Sequence, residues 1–137
     1  DYNLRIQKFI RKDPIAPYRN RIIKEILKEK YKKFALIVIH SWGGGSLKYC
    51  KDIAKSLSEE GIGSLFLFSA NGKIHINLFE EDKSDKEYIG FNFNQYIPIK
   101  DVFEEIKDSS IIFVHFNQTV GFKDLDVFKI PEYLNIP

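Results

Sequence analysis

Six consecutive apolar residues, Phe34-Ala35-Leu36-Ile37-Val38-Ile39, stand between a pair of lysines and a histidine. An unbroken run of that length predicts a strand buried on both faces of a parallel sheet. After it Leu47, Cys50, Ile53, Ala54 and Leu57 recur every three or four residues up to Gly61, the spacing of a helix with one apolar face and a glycine stop. Residues 63–69 form a second apolar run and complete a strand, helix, strand unit. Ala70-Asn71-Gly72 is a tight hairpin signal, and Ile74, Ile76 and Leu78 alternate along the return strand. Residues 80–86 are a charged, solvated loop, and 88–93 alternate again. Residues 101–107 predict a helix capped by Asp101, 111–115 another apolar strand and 128–134 a short helix. Ahead of all this, 4–11 and 18–33 read as helices separated by Asp13-Pro14 and Pro17.

The pattern as a whole is α/β. It predicts a Rossmann-like three-layer sandwich with a mostly parallel sheet, a β-hairpin addition and a basic helical N-terminal lead-in. The strands at 35–39, 63–69 and 111–115 are expected to be parallel, with the first in the middle. Residues 1–33 form the lead-in or linker and 34–137 the domain proper. With 44% apolar residues and 15% aromatics, 137 residues make one core and leave no room for a second.

Charge changes the picture at the front. Residues 1–33 hold 11 Lys/Arg against 4 Asp/Glu, or +7, and the remainder 10 against 15, or −5. A basic front can meet nucleic acid, an anionic membrane surface or an acidic neighbouring domain. The same lysines and arginines alternate with Ile22, Ile23, Ile26 and Leu27 at helical spacing, as on a solvated helix face. No apolar run is long enough to span a bilayer and no signal peptide opens the chain, so the expected location is the cytoplasm, with peripheral contact at the inner membrane open to the basic helices. The single Cys50 reads as a small core residue. The chain begins at Asp1 and contains no Met, which reads as a start inside a larger gene product.

The chemistry concentrates at His40-Ser41-Trp42-Gly43-Gly44-Gly45-Ser46, between the first strand and its helix. Three glycines there let backbone amides approach a ligand closely, and the positive end of the following helix favours phosphate or carboxylate. A tight turn with close packing is the plainer alternative. A dinucleotide fingerprint fails, because Lys48 stands where its third glycine belongs and Ser69-Ala70 supply no acidic residue. Gly45-Ser46-Leu47 is not a P-loop, and the His-to-glycine run of esterases lacks its Gly-x-Ser-x-Gly partner anywhere in the chain.

These residues resemble the first strand-to-helix loop of bacterial glycosyltransferases of the GT-B fold, typically His-x-Trp-Gly-Gly-Gly-Thr-Glu. The likeness continues in order. The helix at 101–107 and Ile111-Ile112-Phe113-Val114-His115-Phe116 are similar to a helix and strand that commonly end in Val-His-x-His, and 126–137 to a short helix ending in Leu-Gly-x-Pro. Ser46-Leu47 replace Thr-Glu, Asn117 stands for the second His, and Asn135 for the Gly. The resemblance covers about residues 34–137. It implies a front domain that faces the acceptor, with the sugar nucleotide held mainly by a rear, C-terminal domain. It also implies a fragment inactive alone, since the family's next strand, with its His-Asp pair, would follow Pro137. On that pattern Gly43, Gly44, Gly45 and Ser46 line the cleft near the donor phosphates, and His40, Trp42 and His115 lie on the acceptor side, Trp42 stacking on a sugar ring. The plainer alternatives are aromatic packing at the sheet edge for Trp42 and a hydrogen-bonded structural role for His115. The implied partners are a nucleotide sugar and a glycan or lipid-linked acceptor. No metal, no cofactor and no specific nucleic acid is called for. His75 takes no role on this reading, and the rival is a non-catalytic Rossmann-like module that docks a protein or carbohydrate.

Overall fold

The first apolar run becomes β1 (Lys33–Val38), whose side chains divide between two cores. Phe34, Leu36 and Val38 enter one hydrophobic cluster; Ile37 and Ile39 enter the other. Alternation along an extended chain sends successive residues to opposite faces, so a strand apolar at every position must be covered on both. The computed structural model describes residues 16–39, 45–81, 89–94, 98–117 and 127–136. The helix expected at 4–11, most of the loop at 80–86 and the first residue of the stretch 88–93 lie outside them.

Around β1 stand β2 (Ile62–Ala70), β3 (Lys73–Leu78), β4 (Gly90–Asn94) and β5 (Ile111–Phe116), in the spatial order β4-β3-β2-β1-β5. β1 pairs parallel with both β2 and β5, as the apolar runs implied. β3 pairs antiparallel with β2, and β4 antiparallel with β3, so β3 alone runs in the reverse direction. The molecule is thus an α/β protein with an open, mixed five-stranded sheet.

Helices α1 (Ala16–Lys30) and α3 (Ile99–Ile106) contribute Leu27, Val102, Phe103 and Ile106 to the cluster that holds Phe34 and Leu36. The single turn Val127–Lys129 and the short α4 (Ile130–Tyr133) add Val127 and Ile130. Helix α2 (Gly45–Glu59) brings Cys50 and Ala54 to the opposite cluster. The connection from β1 to β2 therefore crosses one face, and that from β4 to β5 crosses the other.

Local signals account for most element ends. Gly61 takes φ +79 after α2, a left-handed residue that ends the helix. Asn71 and Gly72 take φ 54 and 71, the pair of positive angles a two-residue hairpin turn needs. Other boundaries differ from the sequence reading: α1 begins at Ala16, not Tyr18, with Pro17 in its first turn rather than ahead of it, and the helix expected at 128–134 divides into the turn Val127–Lys129 and α4. Helix α1 stops at Lys30, not Lys33, because Lys33 is drawn into the sheet opposite Ile62. Helix α3 is capped by the extended Pro98, whose carbonyl accepts from the Asp101 and Val102 amides, so Asp101 lies in the first turn. Its carboxylate there complements the helix's positive end.

The basic lead-in is partly core. Leu27 is fully buried, and burying such a side chain contributes about 1.5–3 kcal/mol. Lys24 Nζ reaches Glu105 Oε2 of α3 at 3.2 Å, and Tyr31, directly after α1, packs its ring edge-on against Phe34.

The two rings of Tyr31 and Phe34 leave no room beside β2: a methyl at Gly63 would meet them at 2.6–2.8 Å. Gly63→Ala is accordingly expected to destabilise the fold by about 1–3 kcal/mol, the usual cost of overpacking, read as a lower urea midpoint with an unchanged slope. Cys50 is fully buried, and burial pushes its thiol above the ordinary value of 9.0. The native state holds the proton more tightly than the unfolded chain does. This contribution is therefore complete below pH 9.0 and is lost as the pH rises through the native value. Alkylation of Cys50 by iodoacetamide near neutral pH should be slow in the native protein and fast in urea, and equal rates would place Cys50 at the surface.

Candidate functional site

The segment after β1 packs on the face of Ile37 and Ile39, and the single turn and α4 that follow β5 pack on the face of Phe34 and Leu36. The helix that follows β1 covers one face, and the helix that precedes β5 covers the other. Beyond the carboxyl ends of such neighbouring strands no connection crosses the gap, and open α/β sheets bind ligands in that crevice. That rule would place the crevice here between the carboxyl ends of β1 and β5, and the segments that follow those ends, 40–44 and 118–126, lie outside the described residues. The two strand ends are tied by a hydrogen bond from the Asn117 amide to the Val38 carbonyl at 3.0 Å, and Ile39 is held to β2 through the Leu67 carbonyl at 3.0 Å.

Of the residues singled out from the sequence, Gly45 and Ser46 open α2, and His115 lies on β5. His40, Trp42, Gly43 and Gly44 lie outside the described residues. By chain order they join Ile39, at the carboxyl edge, to the first turn of α2. His115 pairs with Ile37 of β1 and so shares the face covered by α2. It is half-buried, and its Nε2 is shielded from solvent without a hydrogen-bond partner among the described residues. A shielded ring nitrogen beside the crevice is a ready donor or acceptor for a polar ligand group.

The structure also gives His75 a setting that alternation alone did not disclose. It stacks on Phe68 of β2, with ring centroids 5.0 Å apart and planes at 12°, and its Nε2 lies 3.3 Å from the Ala70 carbonyl. His75 and Phe68 are paired across β3 and β2, on the same face as His115. β2 and β1 intervene, so the two histidines stand roughly 14 Å apart at the usual strand spacing. They cannot share one proton or metal ion, but they flank the same sheet face. Among the described residues, no group of three or more His, Cys, Asp or Glu side chains is placed to hold a metal.

At the opposite, amino edge of the parallel strands lies a cleft of about 470 Å³, lined by Lys30, Tyr31, Lys55, Ser58, Glu59, Phe79, Glu80 and Glu81. Its groups come from three segments far apart in sequence. The charges pair across it: Lys30 Nζ lies 3.3 Å from Glu80 Oε1, and Lys55 Nζ 3.1 Å from Glu81 Oε1. Glu80 Oε1 is buried and meets Lys30 at ion-pair distance without hydrogen-bond geometry. The hydroxyls of Tyr31 and Ser58 are hydrogen-bonded at 2.9 Å. The Glu81 hydrogen bond and charge hold the Lys55 ammonium above its ordinary range. Two ion pairs and a hydroxyl pair thus tie α1, α2 and the segment after β3 across this cleft.

Comparison with known proteins finds no family model, no curated relative and no solved structure that matches the chain.

Proposed function

We propose that residues 34–137 form the Rossmann-like, acceptor-side domain of a GT-B glycosyltransferase. With a second domain that holds the nucleotide sugar, it moves a sugar to a glycan or lipid-linked acceptor. In this reading the helices on the two faces of the sheet are the outer layers of a three-layer sandwich. The observation that carries the proposal is the position of the glycine-rich connection. It leaves the carboxyl end of β1, beside the gap between β1 and β5, and leads into the amino end of a 15-residue helix. Amides and a helix dipole presented there suit the phosphates of a sugar nucleotide, while His115, near the end of β5 on the face covered by α2, offers a ring nitrogen suited to an acceptor hydroxyl.

Asn135 gives independent support. It stands where the resembled motif has glycine, and it takes φ 55 just after α4. Asparagine is the residue other than glycine that most readily enters the left-handed region, so the substitution keeps the turn. Ser46-Leu47 in place of Thr-Glu is a departure from the resembled motif and removes a carboxylate near the helix start.

The direct test is Gly44→Val in the whole protein. A branched side chain in the glycine run blocks close approach of backbone to ligand. Transfer from nucleotide sugar to acceptor should fall at least about tenfold, or about 1.4 kcal/mol of transition-state stabilisation, while the melting temperature stays within about 4 °C. Activity and stability lost together would mean that the glycines serve packing. Unchanged transfer would place the donor phosphates elsewhere.

A further inference from the structure

Helix α1 buries Asn20 and Leu27 against the body and turns two large apolar side chains outward. Tyr18 is 67% and Ile22 43% exposed, four residues apart and therefore neighbours on the surface of the helix. The positions between and beside them are basic: Arg19 is half-buried and Arg21 exposed, with no acidic residue in the first two turns. Lys24 and Lys30 are turned back to Glu105 and Glu80 of the body. Glu25, Lys28 and Glu29 stand exposed on the last two turns, so the surface nearest the amino end of α1 combines positive charge with apolar reach, and the other end is mixed. The 33 residues that include this helix carry +7, against −5 for the rest of the chain.

We propose that the amino-terminal half of α1 is a peripheral contact for an anionic lipid bilayer, with Tyr18 and Ile22 entering the interface and Arg21 beside the headgroups. Among the described residues no helix is long and apolar enough to cross a membrane, and none is needed for this mode. Tyrosine fits the headgroup layer because its ring is apolar and its hydroxyl polar, and arginine reaches upward to phosphate along an apolar stem. A nucleic acid would engage the basic residues chiefly through its phosphates, and that contact does not itself call for the exposed isoleucine. A membrane uses both, with each basic residue near an anionic surface worth about fivefold in binding. The contact depends only on α1 and holds whether or not the crevice between β1 and β5 binds a sugar nucleotide.

Vesicle flotation of the purified chain tests it, with phosphatidylcholine alone and with about one-third phosphatidylglycerol. The expected result is binding to the anionic vesicles only, weakened by added salt as surface charges are screened. Arg21→Glu should reduce that binding at least about fivefold, and Tyr18→Ser with Ile22→Ser should reduce it further, with unchanged melting curves showing that both variants fold. Absence of binding to anionic vesicles, equal binding to neutral ones, or Arg21→Glu binding like the unaltered chain would each overturn the proposal. So would retention on duplex DNA that survives Tyr18→Ser with Ile22→Ser alongside no vesicle binding, since that assigns the basic face to nucleic acid.

Discussion

Everything in this structure depends on covering β1 from both sides. Phe34, Leu36 and Val38 on one face and Ile37 and Ile39 on the other are all buried, so a helix layer must pack on each. That need distributes the connections. The link after β1 goes to the face that Ile37 and Ile39 occupy, and α1, α3 and α4 gather over Phe34 and Leu36. Neighbouring strands whose following segments go to opposite faces are where open α/β sheets commonly bind ligands. The packing demand of one strand thus sends the segments that follow β1 and β5 to opposite faces, and the proposed ligand site rests on that divergence.

The two faces are not equivalent. The cluster around Phe34 extends across the whole sheet to Ile76 of β3 and Phe91 and Phe93 of β4. The opposite cluster is small, and β3 and β4 present His75, Asn77, Asn92 and Asn94 there in place of aliphatic side chains. Antiparallel outer strands commonly show one apolar and one polar face, whereas the parallel centre is apolar on both. Chemistry on the polar side is therefore carried by residues between apolar ones, as His115 is between Val114 and Phe116. The amino edge is the contrasting case, where ion pairs between Lys30 and Glu80 and between Lys55 and Glu81 bind segments to one another.

Elements set by local chemistry were legible in the sequence. The unbroken run at Phe34 announced a central strand, Asn71-Gly72 announced the hairpin, and Gly61 announced the end of α2. Boundaries set by distant partners were not. Nothing near Lys33 says that Ile62 will pair with it, and the extra residue Ile112, where the β5 register shifts against Phe34 and Ala35, is a property of the pair of strands. Asp101 looked like a cap because capping residues are commonly aspartates, but the extended backbone at Pro98 starts the helix earlier. At the site, chain order alone was enough to put the glycine run at the end of β1. The Phe68 and His75 stack depends on hairpin register, and the cleft at the amino edge joins residues near positions 30, 58 and 80, so neither could be read along the chain.

The proposed function requires a ligand to enter between β1 and β5 at their carboxyl ends. Backbone amide NMR of the chain during titration with a nucleotide sugar tests it most directly, because each edge of the sheet reports separately. Shifts are expected at Ile39, Gly45, Leu47, His115 and Asn117, saturating only in the millimolar range as for one wall of the proposed two-walled site, with Ser58, Glu59 and Glu80 unmoved. Shifts gathered at Ser58, Glu59 and Glu80, or none at millimolar ligand, would contradict it.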